Sequence, residues 1–135
     1  MQIVIDNALN RPVYQQIMDQ VKRDIAVCTL KKGEKLPTVR ELAAQLVLNP
    51  NTIAKAYRQL ERDGIILTRP GAGTYVAKLG SNLSDEVKRR ILCQQLELLG
   101  VEAIHMQVRK SSLKDWFNEM LKKFEFPEKE GQLHG

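Results

Sequence analysis

Apolar positions recur at helical spacing in several separate runs along this chain. Between residues 12 and 28, Val13, Ile17, Val21 and Ile25 fall four apart, the pattern of an amphipathic helix, and Pro12 suits its first turn. An extended QIVID precedes it, and KKGEKLP (31–37) reads as a loop with a glycine turn. Thr38 then serves as N-cap of a second helix, with Glu41 three residues on completing a capping box. Val39, Leu42, Ala43 and Leu46 form the inner face of that helix. A third helix is predicted from Pro50 to Asp63, burying Ile53, Ala56, Tyr57 and Leu60 and ending at Gly64.

The period then changes. Ile65–Thr68 and Thr74–Lys78 are β-rich segments flanking RPGAG, the pattern of a short hairpin. LGSNL follows as a linker. Ser84, backed by Asp85 and Glu86, opens a fourth helix carrying Val87, Ile91, Leu92, Leu96 and Leu99, and Gly100 is a point where it breaks or bends. Ser112 and Asp115 have capping-box spacing and lead a last helix with Leu113, Trp116, Phe117, Met120, Leu121 and Phe124. The polar PEKEGQLHG is expected to fray. The predicted fold is mainly α with a small β-hairpin. A winged helix-turn-helix spans 1–80, a helical region fit for dimerisation spans 81–126, and 127–135 is a tail.

The break between the second and third helices is specified locally. Asn49 is a good N-cap, Pro50 belongs at a first helical position where a missing N–H costs nothing, and the residue before a proline is pushed out of helical geometry. At 100° per residue from Ile53, the outward side of helix three carries Asn51, Lys55, Arg58 and Arg62, with Gln59 beside them and no acid. Amides pair with adenine edges, and Arg and Lys pair with guanine or phosphate. A helix-turn-helix presents this element to the major groove. Gly71 and Gly73 leave the hairpin tip bare enough for backbone to approach phosphate, and Arg69 at its base is placed to follow into the minor groove.

Charge agrees with a polyanionic partner. The net charge of +5 arises wholly in the N-terminal part, where residues 1–80 hold twelve Lys/Arg against seven Asp/Glu; the remainder holds nine of each. The 43% apolar and 27% charged composition is that of a globular protein, and no apolar run approaches the roughly 18 residues of a membrane span. The N-terminus lacks a secretory pattern, which leads us to expect a cytoplasmic protein. Cys28 and Cys93 are expected to be free buried thiols. His105 and His134 lack partners at metal-ligand spacing, and there is neither a Ser/His/Asp set nor a phosphate-cradling glycine loop. No metal, cofactor or catalysis is expected.

The stretch LPTVRELAAQLVLNPNTIAKAYRQLERDGIILTRPGAGTYV resembles the DNA-binding domain of GntR-type bacterial transcription regulators. The matching motifs are LP-x-x-R-x-LA from Leu36, NPNT-x-x-K-AY-x-x-LE-x-x-G from Asn49, and the T-R-x-G-x-GT-[FY]-V wing, preceded by ID-x-x-x-x-x-P-V-Y-x-Q-I. Asn-Pro-Asn-Thr and the short C-terminal region resemble the YtrA subfamily, since the 55 residues after Gly80 are too few for the effector or aminotransferase-like domains of larger members. The resemblance implies a repressor that dimerises through its C-terminal helices, in a context that is often a transporter operon. It maps DNA contacts onto Arg40, Asn51, Thr52, Gly71, Gly73 and Thr74; Lys55, Arg58 and Arg69 are added from geometry and charge. Many relatives carry arginines near the positions of Pro50 and Ala54, and this departure means that a relative's operator is not carried over to this chain from the resemblance.

Two alternatives stay open. The third helix could dock a protein instead of DNA, although such a helix should expose aromatic or aliphatic anchors. A winged helix of about 75 residues has its own core, so Val87, Ile91, Leu92, Leu96, Leu99, Leu113, Trp116, Phe117 and Met120 are assigned to pairing with a second subunit that reads the other half of an inverted repeat. Trp116, Phe117 and His105 could instead line a small-ligand pocket; no effector is evident.

Overall fold

The computed structural model describes residues 1–77 and 83–127. The chain divides into two compact units, Met1–Leu79 and Gly80–His134. Of the linker predicted at 79–83, residues 79–82 fall outside the described residues, as do residues 128–135 of the predicted tail.

In the first unit α1 (Val13–Ala26), α2 (Val39–Leu46) and α3 (Pro50–Arg62) pack around one core, and β1 (Ile66–Arg69) pairs antiparallel with β2 (Gly73–Val76). Ile17 and Val21 of α1, Leu42 of α2, and Ile53, Ala56 and Leu60 of α3 are fully shielded from solvent; Leu36, Ile66 and Val76 close the core from the hairpin side. Pro12 stands as the N-cap of α1, one position outside the helix. The extended N-terminal segment forms no strand. Two glutamine side chains of α1 hold it: Gln20 exchanges hydrogen bonds with both backbone groups of Val4, and buried Gln16 does so with Asp6. Two amides one helical turn apart thereby take the place of a neighbouring strand and seat Ile3 in the core.

Thr38 Oγ1 accepts from Glu41 N–H at 3.1 Å and so starts α2 as the capping pattern predicts. α2 ends at Val47, whose φ of 54° is left-handed, and the Leu48 N–H reaches back to the Ala43 carbonyl. A β-branched residue is an outlier in this region. The strain sits in the turn that sets the angle between α2 and α3.

The hairpin strands sit closer to the tip than the hydrophobic pattern places them: β1 takes in Arg69 and β2 takes in Gly73, which face one another. The 33–36 loop joins the hairpin as a third edge, through Leu36 N–H to Thr74 O, Val76 N–H to Glu34 O and Gly33 N–H to Val76 O.

The second unit holds α4 (Asp85–His105) and α5 (Lys110–Lys123). Ser84 caps α4 through Val87 N–H. Gly100 neither breaks nor ends α4, because a glycine with no competing turn bonds costs a helix interior only about 1 kcal/mol. Nor do Ser112 and Asp115 start α5: its N-cap is Arg109, three residues earlier, after a turn at Gln107 with φ of 58°. The expectation of buried thiols is also corrected. Both Cys28 and Cys93 are exposed, Cys28 because it occupies the left-handed position just past α1 and Cys93 because α4 is covered on few sides.

Candidate nucleic-acid interface

The start of α3 is held for presentation. Asn49 Oδ1 accepts from Asn51 N–H at 2.9 Å and the Asn49 carbonyl accepts from Thr52 N–H at 3.0 Å, so the first turn is satisfied without the Asn51 side chain. That side chain is exposed and Thr52 is half-buried. From below, the buried Tyr57 hydroxyl donates to Pro37 O at 2.7 Å and ties α3 to the entry of α2; burial raises its pKa well above the ordinary phenol value, with a smaller push from the Glu41 carboxylate.

Arg40, on the first turn of α2, is exposed beside a shallow groove lined by Ala43, Ala44, Val47, Leu48 and Pro50. Arg58 is exposed on α3. Among the described residues neither has an ion-pair partner. Lys55 is more constrained: its Nζ lies 4.0 Å from the centroid of the Tyr14 ring on α1, within cation–π range.

The outward stripe of α3 is shorter than a helical wheel draws it. Gln59 Nε2 donates to Asp63 at 3.2 Å, Arg62 lies 3.5 Å from Gln59, and Lys22 of α1 pairs with Asp63 at 3.7 Å. This C-terminal end of the helix is occupied by its own network, with an acid in it, and the open part runs from Asn51 to Arg58.

On the hairpin, Ala72 N–H bonds Arg69 O across a turn with Pro70 second and Gly71, at φ 78°, third, the residue choice of a type II turn. A side chain on Gly71 would meet open space, so its glycine serves the backbone conformation and leaves the tip bare. Gly73 is different. Its φ is 126°, and a β-carbon there would lie 2.8 Å from Lys35 Cε. Thr74 faces Thr68 across the strands, and Thr68 N–H donates to Glu61 of α3 at 3.0 Å, anchoring the hairpin to that helix. The Arg69 guanidinium lies 5.3 Å from the Tyr75 ring centroid.

All nine residues read from the sequence as DNA contacts therefore lie in the first unit, in a helical group (Arg40, Asn51, Thr52, Lys55, Arg58) and a hairpin group (Arg69, Gly71, Gly73, Thr74). Sequence reading missed Tyr14, Tyr75, Lys35 and Glu61. Tyr14, Tyr75 and Glu61 carried a signal, since each lies in a quoted motif; Lys35 carried none beyond its charge.

The second unit places Leu92, Leu96 and Leu99 on one exposed side of α4, with Ile91 exposed and Val87 half-buried. On α5, Trp116 and Phe117 are exposed and Leu113 and Met120 half-buried. The apolar surface is wider than the predicted stripe, for Leu98, Val101, Ile104 and Met106 are exposed as well. α4 and α5 touch each other little. His105 is exposed, so among the described residues nothing encloses the trio suggested as a ligand pocket. The described residues hold no cluster of three His, Cys, Asp or Glu able to bind a metal, and no helix long and apolar enough to cross a membrane.

The sequence profile of "Bacterial regulatory proteins, gntR family" matches residues 13–76. The chain is 40% identical over 118 residues to the HTH-type transcriptional repressor YtrA of Bacillus subtilis, covering 87% of this chain and 91% of that one. A transcriptional antiterminator from Listeria monocytogenes superposes with a TM-score of 0.82 at 26% identity, over 100% of this chain and 98% of that chain. The AraR DNA-binding domain, solved in complex with operator ORX1, superposes with a TM-score of 0.51 at 28% identity, over 57% of this chain and 96% of that chain.

Proposed function

The chain belongs to the GntR family of bacterial transcription regulators, a DNA-binding family, and from that premise we propose that it is a dimeric repressor that reads an inverted-repeat operator. The observation that carries the reading is the open half of α3. Asn51 stands free on a satisfied first turn, with Arg40 and Arg58 exposed and no acid between Asn51 and Arg58. An amide placed so can pair with a base edge in the major groove, and the cations can hold the flanking phosphates. The hairpin, tied to α3 through Glu61, supplies a second contact. The repressor sign follows the name of the YtrA relative, and control of a transporter operon is the context we propose for it.

Dimerisation rests on the second unit. α4 exposes leucines, isoleucines and valine on more than one side, and apolar area left open in this way marks a surface that another protein covers. One winged helix grips few base pairs, and a dyad-related pair doubles the sequence read. A salt titration of DNA binding tests the interface. The log–log slope should fall by about 0.9 for each phosphate that Arg40→Ala or Arg58→Ala leaves without its cation. Binding that ignores salt, or both variants behaving as the parent, would remove the assignment.

A further inference from the structure

Lys35 and Arg69 converge on one glycine. The edge segment pairs Lys35 directly with Tyr75, while β1 pairs Arg69 directly with Gly73. Directly paired residues share a face of a sheet, and so do positions two apart on one strand, so Lys35, Tyr75, Arg69 and Gly73 all lie on the same face. At its centre Gly73 has no side chain, and the Lys35 stem lies where one would be. The Tyr75 ring sits beneath the Arg69 guanidinium, and the Tyr75 hydroxyl donates to Ala72 O at 3.0 Å, bracing the tip. Both cations are exposed, and among the described residues neither has an ion-pair partner. Two cations set on one face of the hairpin, with no acid paired to either among the described residues, are arranged for an external anion.

We propose that Lys35 and Arg69 form a two-cation clamp on a single backbone phosphate of duplex DNA, with Tyr75 as the positioning residue that fixes Arg69. Gly73 is glycine for its φ of 126°, and the space left by the missing side chain takes the lysine stem. The clamp rests on the DNA-binding reading above and adds to it a further DNA-facing residue, Lys35, and a stoichiometry: one phosphate, two cations.

The full chain is titrated by fluorescence anisotropy against a short duplex of mixed sequence at several salt concentrations. Lys35→Met and Arg69→Met keep much of each stem and alter exposed residues, so folding is retained; circular dichroism verifies it. With one phosphate shared, the double variant lowers the log–log slope by about 0.9, and each single variant lowers it by less. Tyr75→Leu reproduces the Arg69→Met slope, whereas Tyr75→Phe, which keeps the ring beneath Arg69 and loses only the bond to Ala72, recovers most of the parent slope. A double variant whose slope drops by about 1.8 means two independent phosphates and overturns the clamp, as does one with the parent slope. Tyr75→Leu binding like the parent overturns the positioning role. If the parent itself shows no salt-dependent binding, the DNA reading fails; if the parent binds and only the double variant is unchanged, the clamp alone fails.

Discussion

Replacing Leu42 and replacing Asn51 should separate the scaffold from the surface it presents. Leu42 lies on α2 with no exposed area, against the α3 core residues. Leu→Ala at such a site removes transfer free energy and leaves a cavity, together about 2–5 kcal/mol. A domain of this size has about 5–15 kcal/mol in hand, so the loss is a large fraction of it and lowers the melting temperature by roughly 10 °C or more. Asn51 is exposed, and the bond that satisfies its backbone N–H comes from Asn49, so Asn51→Ala should change stability by no more than about 0.5 kcal/mol. Thr52→Ala should behave likewise with a somewhat larger cost, since Thr52 is half-buried. The assay is urea unfolding followed by far-ultraviolet circular dichroism, because the single tryptophan lies in the second unit and does not report on the first. DNA affinity is measured in parallel. Leu42→Ala should lose stability, while Asn51→Ala and Thr52→Ala keep the fold and lose affinity or sequence preference. Equal destabilisation in all three would show that the faces of α2 and α3 are misassigned.

Val47→Gly should stabilise the first unit by about 0.5–1 kcal/mol in the same urea assay. A left-handed valine costs about 1–2 kcal/mol, glycine returns part of that as backbone entropy, and the 88% exposed side chain buries nothing to lose. Destabilisation there would mean the valine packs against something that its exposure hides. The raised pKa of Tyr57 means the folded state holds that proton more tightly than the unfolded chain does. Its contribution is therefore complete below the unfolded value of 10.0 and is lost as pH rises past it; Tyr57→Phe should flatten the alkaline limb of a stability–pH profile. A chain ending at Lys78 should fold, scatter light as a monomer and retain only weak DNA binding, whereas the full chain should be a dimer at micromolar concentration. A full-length monomer would contradict the pairing role of α4 and α5.

The first unit was legible because its signals are local. Thr38 and Asn49 fix helix starts through their own side-chain bonds and Pro50 through its fixed φ, and the core positions of α1, α2 and α3 follow one period. Signals that depend on a partner elsewhere in the chain were not legible. The Gln16 and Gln20 amides look like ordinary polar helix residues until the N-terminal segment is laid against them. Lys35 is one of several loop cations until β2 brings Gly73 beneath its stem. Gln59 and Arg62 point outward on a wheel, but Asp63 at the helix end draws them into a network. In the second unit the period itself misled: α4 is apolar on more than one side, so a single stripe described only part of it, and a lone glycine was given too much weight as a breaker.

Selection of bound fragments from random duplex DNA by the full chain tests the central claim most directly. A dimeric reader built on α3 and the hairpin should enrich an inverted repeat whose half-sites lie about one helical turn apart, or a multiple of it, on one side of the duplex. Enrichment should collapse in Asn51→Ala. A pool that stays random after repeated rounds, or a single unrepeated half-site recovered by a dimeric protein, would contradict it.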